Sequence, residues 1–157
     1  MRLKLAASCL FGLEGPLGNE LRHMGMEAVA PENGRVFFET DINGLARANL
    51  RSRFAERILL ELGAFPARSF DELFEGVRAL PLEDWLPRDA AFPVEGWSLD
   101  SELHSVPDCQ RIIKKAAAAR LGARYSLGWL PESGAEYRIR FTILKDGCRI
   151  FLDSSGT

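Results

Sequence analysis

Cysteine is scarce: Cys9, Cys109 and Cys148 are the only three in 157 residues, odd in number and far apart. That excludes a disulfide framework and offers no zinc-ligand spacing, so a reducing cytoplasm is the expected setting. Histidine is scarcer still. His104 has no cysteine or obvious carboxylate partner at triad spacing and His23 reads as a surface residue in mid-helix, which leaves no ligand set for a metal and no Ser-His nucleophile. Apolar runs are short; none approaches the ~20 residues of a membrane-spanning helix. The opening MRLKLAASCLFGLEG superficially resembles a signal peptide, but its apolar run is brief and a first β-strand is expected instead. Positive charge is not in excess either. The formal net charge is -2, so any affinity for nucleic acid must come from a local patch. Neither repeats nor low-complexity segments interrupt the chain.

What is present suits a soluble globular protein of one ordinary domain or two small ones: 46% hydrophobic and 27% charged residues. The first 66 residues alternate between short strands and helices. Leu3 to Leu10 reads as a buried strand. Glu14, Leu17, Leu21 and Met24 recur at helical spacing up to Gly25. Glu27–Ala30 and Val36–Glu39 flank the turn Pro31-Glu32-Asn33-Gly34, Asp41 caps a helix through about Arg51, and Ile58 to Phe65 is strand-like. The order β-α-β-β-α-β is that of a ferredoxin-like sandwich. After Pro66 the pattern becomes helices first and strands last. Ser69 and Glu72 form a capping box, a helix runs from Ser105 to Gly122, and strands Tyr137–Leu144 and Cys148–Asp153 join through Lys145-Asp146-Gly147. The expected domains are therefore 1–66 and 67–157, a mixed α+β and α/β chain. The closing DSSGT looks like an open loop at a domain junction.

Charge is concentrated on the helix after Ser105. Cys109, Ile112, Ile113, Ala116 and Ala117 share one face, while Arg111, Lys114 and Lys115 point away within roughly 100°. Arg120 and Arg124 follow, so Gln110 to Arg124 holds five cations and no acid. Such a row suits a phosphate backbone, and equally suits a solvated face. In the preceding loop, Ser101, His104 and Ser105 offer hydroxyls and a ring beside a helix N-terminus, fit for a phosphate or for ordinary capping. A second basic stretch holds Arg47, Arg51, Arg53 and Arg57, with dipole complementation, and Arg57 pairing to Glu56 or Glu61, as the plainer reading. Gly12, Gly15 and Gly18 match neither a dinucleotide fingerprint nor a P-loop and read as a strand-to-helix turn. Trp85, Trp97 and Trp129 read as core or interface residues, or as anchors for a protein partner.

Five segments in order carry a family resemblance: FGLEGPLGNELRHMG, LRSRFAERILLEL, FDELFEGVRALPLEDWLP, SELHSVPDCQRIIKKAAAARLG and YRIRFTILKDGCRIFLDSSGT. The chain resembles the N-terminal part of the THUMP-containing RNA methyltransferases, specifically the 23S rRNA guanine-N2 group. The resemblance implies a ferredoxin-like domain followed by a THUMP domain, an RNA-binding α/β module. It also implies a catalytic domain beyond residue 157 that uses S-adenosylmethionine. No methyltransferase glycine loop and no N/D-P-P-Y/F motif occurs in these 157 residues, so no cofactor is expected to bind this chain and no catalytic residue is assigned to it. Ser101, Ser105, Gln110, Lys114 and Lys115 fall on the family's helix motif, and Arg53 and Arg57 on its R-x-A-x-R stretch. The expected partners are structured RNA, from the 23S species or else tRNA, and the parent's own methyltransferase domain. A protein-interaction role without RNA is the competing expectation.

Overall fold

A computed structural model describes residues 1–154; the reading of 155–157 as an open loop lies outside them. The chain divides into two compact units, residues 1–61 with the segment from 153 onward, and residues 62–152.

In the first unit the order is β1 (Leu3–Ser8), α1 (Glu14–His23), β2 (Glu27–Glu32), β3 (Arg35–Thr40), α2 (Ile42–Arg51) and the start of β4 (Arg57–Pro66). Strands lie in the order β2-β3-β1-β4, every pairing antiparallel, with Leu5 opposite both Phe38 and Leu60. This is the ferredoxin-like arrangement the element order predicts. Leu17 and Leu21 of α1 and Leu45 and Ala48 of α2 are buried, as helical spacing requires. Ile42, the first residue of α2, is 57% exposed. Asp41 caps α2 by accepting from the Gly44 N–H at 2.8 Å.

The second unit holds the end of β4, then α3 (Phe70–Arg78), a 3-10 turn (Leu82–Asp84), β5 (Val94–Leu99), α4 (Val106–Tyr125), β6 (Ile139–Leu144) and β7 (Gly147–Asp153). β5 runs parallel to β6, and β6 antiparallel to β7. Ser69 Oγ accepts from Glu72 N–H, but the returning Glu72 carboxylate takes the Arg68 N–H and not that of Ser69, so the capping box is offset by one residue. The β6–β7 hairpin turns on Lys145 and Asp146 alone, both at positive φ, as a two-residue primed turn needs. Buried Leu73, Val77, Ile113, Ala116, Ala117, Leu121, Phe141, Ile143, Cys148 and Ile150 form the core.

Candidate nucleic-acid interface

α4 forms where it does because its N-terminus is well specified. Ser105 Oγ accepts from the Asp108 N–H, Pro107 occupies the first turn, and Asp108 meets the positive end of the dipole. It runs past the expected stop at Gly122 to Tyr125, where Ser126 supplies the left-handed cap. Gly122 lies in the last turn, where the Leu127 carbonyl is 2.8 Å from where a Cβ would stand and so favours glycine. Cys109, Ile113, Ala116, Ala117 and Leu121 are buried, whereas Ile112 is only half-buried.

The expected row of free cations is largely dismantled. Lys114 folds back: its Nζ donates to Glu132 Oε1 at 2.5 Å and to the Phe92 carbonyl at 3.0 Å, and lies 3.8 Å from the Phe92 ring centroid. Burial opposes ionisation of Glu132, but the Lys114 ammonium and the Phe92 N–H overcome it and hold the carboxyl below its usual range. Arg120 makes a bidentate pair with Glu83, both contacts at 2.9 Å, and Arg124 joins the same carboxylate at 3.2 Å. Arg111 pairs with Asp108 one turn back at 3.0 Å yet stays 69% exposed along its side chain. Lys115 is exposed with no partner among the described residues. Gln110 is half-buried beside it in sequence. Arg111, Lys115 and Arg124 are therefore the exposed cations of the five, and of these Lys115 alone has no acidic partner among the described residues.

The SELHSVPD loop serves structure first. Ser101 Oγ donates to the Leu99 carbonyl at 2.9 Å and accepts from Asp146 N–H at 3.0 Å, while the Glu102 N–H donates to Asp146 Oδ1 at 2.9 Å. Ser101 thus clamps the loop to the β6–β7 turn, and Ser105 is the N-cap of α4. His104 is exposed, and its Nδ1–H donates to the Glu102 carbonyl at 3.0 Å. A carbonyl can only accept, so Nδ1 carries the proton in this contact.

In the first unit, Arg57 pairs with Asp153 at 2.9 Å, and not with Glu56 or Glu61. Arg47 donates to the Met24 carbonyl. Glu20 takes the Ser52 hydroxyl and the Arg53 N–H through its carboxylate, fixing the backbone at the end of α2. The Arg51 and Arg53 guanidiniums are left exposed and, among the described residues, without a partner.

The acids that consume the cations were invisible to the sequence reading. Glu83, Glu132 and Asp153 lie 37, 18 and 96 residues from Arg120, Lys114 and Arg57. Only Asp108, three residues from Arg111, carries a local signal.

The glycines near the N-terminus build no nucleotide cradle. A Cβ added at Gly12 or Gly15 would meet nothing within 4 Å, and Glu14 occupies the turn by accepting from the Gly12 and Gly34 N–H groups. Among the described residues no three His, Cys, Asp or Glu side chains gather as a metal site requires, and no helix is long and apolar enough to cross a membrane.

Family models match twice: an RlmL ferredoxin-like domain over residues 4–59 and a THUMP domain over residues 67–153. The chain belongs to the THUMP family, preceded by the RlmL-type ferredoxin-like domain. A Bacillus subtilis protein named as an RNA methyltransferase, YpsC, is 43% identical over 98% of this chain and 40% of its own length. The ribosomal RNA large subunit methyltransferase K/L of Cellvibrio japonicus is 39% identical over 57% of this chain and 12% of its own. A Listeria monocytogenes structure described as an N6-adenine-specific DNA methylase superposes with a TM-score of 0.93 at 45% identity, over 99% of this chain and 42% of that one. This THUMP chain spans about 40% of the length of YpsC.

Proposed function

We propose that this THUMP chain docks structured RNA for a methyltransferase domain of its parent protein, which transfers a methyl group from S-adenosylmethionine to a guanine N2 of 23S rRNA. The observation that supports docking is the pair Arg111 and Lys115, exposed on a twenty-residue helix whose opposite face is locked in the core. A rigid helix carrying phosphate-facing cations gains affinity from counterion release without an ordering cost. His104 adds a ring at the N-terminal end of that helix. Lys114 is reassigned from phosphate contact to the brace that holds Glu132. RNA is favoured over DNA by the names of YpsC and the K/L relative, while the Listeria description names DNA. Holding the transcript would raise the effective concentration of the target base at the catalytic domain.

The test is a salt series of binding to a structured 23S fragment, with a tRNA and a DNA duplex of matching sequence as competitors. Arg111→Ala with Lys115→Ala should weaken binding and lower the log–log salt slope by up to about two. Equal affinity in the folded double variant removes this face. Preference for the DNA duplex overturns the RNA reading, and preference for tRNA redirects it.

A further inference from the structure

The first unit carries an apolar projection that the fold does not use. Leu10 and Phe11 follow β1 and are 63% and 81% exposed, side by side at the turn before α1. Apolar residues scattered singly on a surface need no explanation, but a consecutive pair held in a braced turn does. The bracing is specific. Leu13 N–H donates to the Leu10 carbonyl at 3.1 Å, and Cys9 N–H donates to the Gly34 carbonyl at 3.0 Å. Glu14 then bridges the turn before α1 and the β2–β3 turn, accepting from Gly12 N–H at 2.7 Å and Gly34 N–H at 2.8 Å. Those backbone donors keep its carboxyl below the usual range, so the bridge stays charged and intact at neutral pH. Phe11 rests its ring tip on Gly34: a Cβ there would touch Cε1 and Cζ at 3.7 Å. Gly34 also sits at φ +78°, so the position that backs the ring is one only glycine fills without strain.

Free positive charge stands at the same end of the unit. Glu56 N–H donates to the Ser8 carbonyl at 2.7 Å, which ties the segment after α2 to the end of β1. Phe11 and Arg53 are each three residues from that bond, at most roughly 10 Å of chain apiece. Glu20 fixes the backbone at Ser52 and Arg53 while their neighbouring guanidiniums at Arg51 and Arg53 remain free. Glu14 and Glu20 are both consumed by hydrogen bonds, which leaves Glu56 as the exposed acid of this segment.

We infer that Phe11, Arg51 and Arg53 form a subsite for unpaired nucleotides, a base stacking on the Phe11 ring and flanking phosphates meeting the two arginines. An exposed aromatic at the same end of the unit as unpaired cations matches single-stranded nucleic acid, whose unstacked bases offer stacking faces that the interior of an A-form duplex does not. The inference rests on the RNA-docking reading and extends it to a second element, the ferredoxin-like unit, and to a second RNA form.

The probe is a fluorescent eight-nucleotide uridine oligomer, measured beside a blunt RNA hairpin, on the whole chain. Phe11→Ala should weaken oligomer binding fivefold or more and leave the hairpin unchanged, and Phe11→Trp should restore it. Arg51→Ala with Arg53→Ala should lower the oligomer salt slope by about 1.4. Unaltered oligomer affinity in Phe11→Ala, with an unchanged melting curve, overturns the subsite. So does a Phe11→Ala variant that loses self-association but not the oligomer, since the projection then serves protein contact. A wild-type chain that binds the hairpin and not the oligomer sinks this inference alone; one that binds neither sinks the docking reading as well.

Discussion

Lys114 Nζ stands 2.5 Å from Glu132 Oε1 and 3.8 Å from the Phe92 ring centroid, so this cation of α4 faces its own protein. The contact ties the helix to the segment after it, where Glu132 also accepts from the Phe92 N–H. Lys114→Ala removes a half-exposed ion pair and a cation–π contact together. The expected loss is about 1 kcal/mol, read as a lower urea midpoint with unchanged slope. A variant with wild-type stability but weakened RNA binding would restore Lys114 to the docking surface.

Glu83 serves Arg120 and Arg124 at once, and the Arg120 hydrogen bonds hold its carboxyl below the usual range. A carboxyl with a depressed folded pKa adds stability above its unfolded value, roughly 4.3, and loses it as pH falls through the folded pKa. Glu83→Gln should therefore be less stable than wild type at pH 7, the gap closing as urea midpoints are followed down to pH 3. A gap independent of pH would show that the carboxylate charge contributes nothing.

All three thiols are buried, and burial pushes the Cys148 pKa up to about 12 and raises those of Cys9 and Cys109. The reactive thiolate is therefore scarce at neutral pH. A colorimetric disulfide reagent should modify none of the three in native protein at pH 7.5 and all three in urea. Rapid labelling of the native chain would contradict the burial.

Gly96 sits in β5 opposite Phe141, where an added Cβ would collide with the Phe141 carbonyl and ring. Gly96→Ala should cost roughly 1–3 kcal/mol, since a backbone carbonyl cannot swing aside as a side-chain tip can. Thermal unfolding checks it.

Local signals carried most of the fold. Capping residues at Asp41, Ser69 and Ser105, the period of Leu17 and Leu21, and the order of elements are all short-range properties, and each reappears in the structure. Helix ends were less legible. α4 outruns Gly122 because a left-handed Ser126 caps it later, and the Glu72 carboxylate reaches the residue before the cap.

Which charges are free could not be read from neighbours in the chain. The sequence by itself determined where α4 begins, which face it buries and that five cations lie along it, because capping and periodicity act within a few residues. Only the tertiary structure decided that Glu132 and Glu83 pair with three of them, Lys114, Arg120 and Arg124, while Arg111 keeps only its local partner Asp108 and Lys115 faces solvent. Electrostatic pairing depends on distance in space, and folding sets those distances across stretches of 18 to 41 residues.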